Sequence, residues 1–213
     1  MSTANSRTAS RHKPRRAAGL AWWPVLAAVA LLAVVIVVAL GTTDGNDSGQ
    51  PTEPAVGGES LPAHDPMVAS DPAIGSLVPS VLGSDFDGNM VNPTRNERAK
   101  LFVFLAHWCT HCRAELPILV DWLEAGGARD LQVVGVVTLT DPLRPNFPPR
   151  PWIEAGGWPG VILVDGGDSQ VAAAYGLTAT PYFVVTDAED RVVARASGEL
   201  PTSELDRLVD LAS

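Results

Sequence analysis

Two cysteines occur in this chain of 213 residues, and they stand close together in Trp108-Cys109-Thr110-His111-Cys112. Thiols at this spacing admit three chemistries. A structural disulfide is the weakest, since loop entropy assigns a four-residue loop about 2 kcal/mol against about 4.7 kcal/mol for a hundred-residue loop. A soft-metal site for copper(I) or zinc(II) uses thiolate and imidazole, but a closed zinc site takes four ligands. The nearest further histidine is His107. Redox exchange is the third. One thiolate attacks a disulfide, the other resolves the mixed disulfide, and the pair opens and closes with little backbone movement.

The flanking elements decide what the pair can do. Leu101-Phe102-Val103-Phe104-Leu105-Ala106 is continuously apolar, as a strand buried on both faces should be. Ala114, Leu116, Ile118, Leu119, Trp122 and Leu123 then recur near helical spacing, until Gly126-Gly127 stops the helix. Cys109 therefore falls at a strand-to-helix junction, where unpaired N–H groups favour its thiolate. Cys112 lies one turn along, covered by the helix, and is placed to resolve. His111 can donate to the Cys109 thiolate or set positive charge beside it. Trp108 reads as a half-exposed apolar wall, and His107 as filler.

Further along, Val78–Gly83 and Met90–Val91 flank Asp85-Phe86-Asp87-Gly88-Asn89, a hairpin with Gly88 at its turn. Leu131–Leu139 reads as a second buried strand. Asp141 to Gly160, rich in Pro and Trp, is an irregular insertion with one helical turn near Trp152–Ala155. A strand at Val161–Val164 and a short helix at Ser169–Tyr175 come next. Tyr182–Thr186 and Arg191–Ser197 form a hairpin, and Thr202–Leu211 closes as a helix. This order predicts an α/β domain, a mixed central sheet with helices on both faces and an N-terminal β-hairpin extension.

Charge is unevenly placed. Arg7, Arg11, Lys13, Arg15 and Arg16 precede position 44 without one acid, whereas 73–213 holds ten bases against eighteen acids. The acidic body excludes a nucleic-acid partner, because nothing neutralises phosphates. The basic head precedes an uncharged run from Leu20 to Leu40, whose 21 residues span about 31 Å as a helix, enough for a bilayer core of roughly 30 Å. We expect a cytoplasmic tail (1–19), a single transmembrane anchor (20–41), a flexible linker (42–72) and the folded domain (73–213) outside the cytoplasm. A cleaved signal sequence is the alternative to the anchor, and it exports the domain equally. The linker reading rests on five Gly, four Pro and six acids between Gly41 and Asp71, where His64 would be solvated.

The sequence resembles the thioredoxin superfamily, specifically the membrane-anchored TlpA/ResA-type thiol–disulfide oxidoreductases, from about Gly75 to Leu211. The resemblance rests on Trp108-Cys109-x-x-Cys112-Arg113-x-Glu115-x-Pro117 and on Ala174-Tyr175-Gly176-Leu177-Thr178-Ala179-Thr180-Pro181. It implies a thioredoxin fold, a redox disulfide between Cys109 and Cys112, a helix kinked at Pro117, and a cis bond before Pro181. Trp108, Thr180 and Pro181 would then form the substrate-binding surface, with protein thiols or disulfides as substrates and a membrane redox partner resetting the pair. No cofactor and no resident metal are implied. Apocytochromes c are substrates of such proteins, although a histidine within the motif accompanies more oxidising members of the superfamily. Val103 stands where thioredoxins carry a buried carboxylate, so the proton acceptor for Cys112 is open. Glu115, Asp141 and Glu154 are candidates that each read more simply as surface carboxylates. A copper metallochaperone using the two thiols as soft ligands is the alternative function.

Overall fold

The computed structural model describes residues 51–94 and 96–212. The expected tail and anchor lie outside them, and among the described residues no helix is long and apolar enough to cross a membrane. Three strands come first, β1 (Ala55–Gly57), β2 (Ser80–Ser84) and β3 (Met90–Val91), followed by β4 (Lys100–Leu105) and α1 (Thr110–Glu124). Then come β5 (Gln132–Val137), α2 (Pro149–Ala155), β6 (Val161–Val164), α3 (Gln170–Ala174), β7 (Tyr182–Thr186), β8 (Val192–Ser197) and α4 (Thr202–Asp210). The central sheet has the order β6-β5-β4-β7-β8. Its β4, β5 and β6 run parallel, while β7 and β8 are antiparallel additions.

All six residues of β4 are buried, because the strand is paired on both edges and covered on both faces. Leu101, Val103 and Leu105 point to one side, against Leu116, Leu119, Ile153, Leu205 and Leu208 of α1, α2 and α4. Phe102 and Phe104 point to the other, against Val171 of α3, Tyr175 just after it and Val81 of β2. Each such side chain contributes roughly 1.5–3 kcal/mol on full burial, so the end of β4 is a rigid platform for the cysteine motif. The expected hairpin is β2–β3, with Gly88 at φ +79°. The Asp85 carboxylate accepts the N–H groups of Asp87 and Asn89 across its turn.

The linker expectation for 42–72 does not hold beyond residue 51. Thr52 N–H donates to Ser84 Oγ at 2.8 Å, and β1 adds to β2 as a third antiparallel strand. The chain then lies as a strap over the α3 side of the sheet. Leu61 N–H donates to Ala174 O and His64 N–H to Gly176 O, both at 2.8 Å. Arg195, on β8, donates to Pro62 O at 2.8 Å and forms an ion pair with Asp71. His64, expected in solvent, is 7% exposed and packs its ring 5.5 Å from that of Tyr182. Composition misses this strap because main-chain bonds and one buried ion pair fix it, not an apolar period. Gly176 permits the close passage: it stands at φ +75°, where a Cβ would collide with the Pro62 carbonyl.

Candidate active site

Cys109 is the N-cap of α1, extended at φ −71° and ψ 122°, with no side chain capping the helix. Its N–H donates back to Ala106 O at 3.0 Å and its carbonyl accepts Arg113 N–H at 3.1 Å. The sulfur thus sits at the open end of the helix, where the first N–H groups have no carbonyl partner. As a thiol it donates to Thr180 O at 3.4 Å. Burial opposes its ionisation, but the Thr180 side chain and the N–H groups of Cys112 and His111 outweigh that and hold the thiol below its ordinary range. Cys112 is wholly buried and accepts Ala106 N–H at 3.5 Å. Burial is the main cause that pushes it up to about 12.

Opposite the pair, the Thr180–Pro181 bond is cis and leads into β7. The loop before it is tied to the strap, since Thr178 Oγ1 donates to His64 O at 2.8 Å. Trp108 is half-buried, its Nε1–H donating to Leu139 O at 2.7 Å while the Arg144 guanidinium lies 4.8 Å above its ring. His107 is more than filler. It is fully buried, its Nδ1 lies 2.7 Å from Pro145 O, and its Nε2 accepts Asp141 N–H at 3.2 Å. A carbonyl only accepts, so Nδ1 carries the hydrogen. With Asn146 Nδ2 donating to His107 O at 2.8 Å, this one residue pins loop 141–146 beside the cysteines.

His111 is exposed, with Nδ1 2.7 Å from Glu199 Oε1 in the loop between β8 and α4. The hydrogen bond and charge of Glu199 raise its pKa, and the charge of Cys109 adds to that. Glu115 overturns the surface reading: it is fully buried, one turn beyond Cys112, and accepts Leu200 N–H at 3.2 and 3.3 Å. Burial is the first cause that raises its pKa, and the charge of Glu199 reinforces it. Asp141 and Glu154 do lie at the surface, each paired with an arginine. Val103 is buried among apolar side chains, so Glu115 is the carboxylate that α1 carries inward. The residue that the sequence reading missed is Glu199. It stands 88 positions from His111, and no local spacing could have joined them.

Comparisons with known proteins agree with this geometry. The Redoxin family model matches residues 73–210. No curated protein sequence matches the chain. Among solved structures, a thiol:disulfide interchange protein of the thioredoxin family from Chlorobium tepidum is similar at a TM-score of 0.54 and 22% identity, covering 65% of this chain and 96% of its own. StoA from Bacillus subtilis is similar at 0.52 and 16% identity, over 64% and 98% of the two chains. The thioredoxin domain of a thiol-disulfide oxidoreductase from Bacteroides vulgatus aligns at 0.52 and 24% identity, over 65% and 96%. The fold is the thioredoxin fold. The chain belongs to the Redoxin family.

Proposed function

We propose that the chain exchanges disulfides with extracytoplasmic protein substrates through Cys109 and Cys112. The observation that carries this is the split between the two thiols. Cys109 stands at the open end of α1 against the Thr180–Pro181 turn with its pKa held below the ordinary thiol range, whereas Cys112 is buried and its pKa is pushed up to about 12. In the reductive direction the Cys109 thiolate attacks a substrate disulfide, forming a mixed disulfide and releasing one substrate thiolate, which takes a proton. Cys112 then loses its proton and attacks Cys109 Sγ, releasing the second substrate thiolate. Two electrons and two protons pass to the substrate and a Cys109–Cys112 disulfide remains, which a membrane redox partner resets. The oxidative direction is the same sequence reversed.

Glu115 is our candidate acceptor for the Cys112 proton. Residues three apart on a helix have Cβ atoms about 5–6 Å apart, and burial raises the Glu115 pKa, which makes its carboxylate a better proton acceptor than an exposed one. Thr180 offers main-chain groups beside Cys109, and a substrate segment pairing there as an added strand would be held with little regard to its side chains. An extracytoplasmic location is the expectation from the apolar run at 20–40 and suits disulfide chemistry.

Trapping tests this reading. Membranes carrying Cys112→Ser should accumulate mixed disulfides on non-reducing gels, and those carrying Cys109→Ser should accumulate few. Equal trapping by both would reject the division of roles. No trapping, together with tight stoichiometric copper(I) binding, would give the site to metal delivery instead.

A further inference from the structure

Three parts of the site meet on one short loop. Gly198 N–H donates to Pro181 O at 2.9 Å, the Glu199 carboxylate holds His111 Nδ1 at 2.7 Å, and Leu200 N–H donates to Glu115. The main-chain bonds on either side of Glu199 fix where its side chain starts. It therefore reaches His111 from a backbone already locked to the cis-proline turn and to the buried carboxylate, unlike a surface pair between two free side chains.

We infer that Glu199 is a positioning residue of the exchange site: it keeps a protonated His111 beside Cys109 and thereby makes the cysteine pair a stronger oxidant. The inference rests on the proposed exchange function and specifies how that site is tuned.

Two charges act on the sulfur in opposite directions. An imidazolium near Cys109 favours the thiolate and so the dithiol state, which makes the disulfide easier to reduce. The negative charge of Glu199 works the other way if it acts on the sulfur directly. Proximity decides between them. His111 lies two residues from Cys109 and its ring feels the charge of the sulfur, whereas the Glu199 carboxylate bonds the imidazole and not the sulfur. The charged groups around His111 are Glu199 from the β8–α4 loop, the Cys109 sulfur, and Arg113, which turns to Thr110 Oγ1 at 3.5 Å. The Glu199 contact raises the His111 pKa above its ordinary 6.5, so the effect is present below that raised value and is lost as pH rises through it. Near pH 7 a histidine without its carboxylate is mostly neutral.

The test is the thiol–disulfide equilibrium constant of the full chain with glutathione, measured from about pH 5.5 to 8 for wild type, Glu199→Gln, His111→Ala and the double variant. Proton NMR of His111 is followed in the same samples. Glu199→Gln should lower the His111 pKa and make the pair more reducing near pH 7, by roughly two- to fivefold in the equilibrium constant. That difference should shrink toward acid, where His111 is protonated without help. In the His111→Ala background Glu199→Gln should no longer make the pair more reducing; with His111 in place, Glu199→Asp should keep part of the wild-type value. If Glu199→Gln instead makes the pair more oxidising, or changes nothing while exchange persists, the inference falls and the exchange function stands. If the wild type fails to exchange with glutathione at all, both fall. An unchanged His111 titration overturns the inference alone.

Discussion

The buried carboxylate one turn beyond Cys112 carries opposite consequences for stability and for exchange. Glu115 has its pKa raised by burial, so the folded protein binds its proton more tightly than the unfolded chain does. Such a group costs stability as pH rises from its unfolded value of about 4.3 through the raised folded value. Glu115→Gln keeps the shape, accepts Leu200 N–H through its amide oxygen, and cannot ionise. It should therefore be more stable than wild type at pH 7, by about 1 kcal/mol in a urea titration, and equal to it at pH 4. The same variant should release substrate from the mixed disulfide on the order of tenfold more slowly, because Cys112 has lost its acceptor. Stopped-flow release measured beside the urea curves would separate the two effects. A variant that is more stable and equally fast would leave Glu115 a buried residue without a role in exchange.

The elements that position the cysteines were legible because local pattern and tertiary demand agreed there. The apolar run before Cys109 is a strand buried on both faces, and the helical spacing after it is α1. The strap was not legible. Its residues read as linker because no window of 51–72 has a period, and what holds it lies far away in sequence: Ala174, Gly176, Thr178 and Arg195. His107 and Glu115 were misread for the same reason, since their partners Pro145 and Leu200 are 38 and 85 positions off. The strap's hold is testable at Asp71. The Arg195 guanidinium is wholly buried, and Asp71 is its counter-charge. Asp71→Asn should cost about 3 kcal/mol, as a buried charge left without its partner, seen as a fall in the urea midpoint. Because the strap also bonds the loop before Pro181, the variant should lose exchange activity at urea concentrations where the wild type is still active. A loss under 1 kcal/mol, about the value of a surface pair, would mean that the strap contributes little.

At the scale of the whole molecule, the strap joins the N-terminal side of the described chain to the exchange turn, and one buried group makes that joint sensitive to acid. His64 sits between the strap and β7, facing Tyr182, Asp71 at 3.6 Å and, beyond it, Arg195. Burial first, then the positive charge of Arg195, lowers its pKa, outweighing the pull of Asp71 and Asp65 in the other direction. Proton binding sets the sign. Between the lowered folded value and the ordinary 6.5 the unfolded chain holds a proton that the folded chain lacks, so folding stability falls as pH falls through that window. The contribution is intact above 6.5 and reaches its full loss below the folded value. One such group gives a slope of at most about 1.4 kcal/mol per pH unit. Urea titrations of wild type at pH 7.5, 6.5, 5.5 and 5.0 (each about evenly placed across the histidine range) should show stability declining from pH 6.5 downward. His64→Leu, which packs against Tyr182 and cannot take a proton, should flatten that limb. It should leave the limb at lower pH, where the Asp71 carboxylate loses its charge: burial opposes its ionisation, but the hydrogen bond and charge of Arg195 hold it below its ordinary range. Parallel curves for the two proteins would show that His64 does not carry the acid response, and that the strap stays closed until Asp71 itself is protonated.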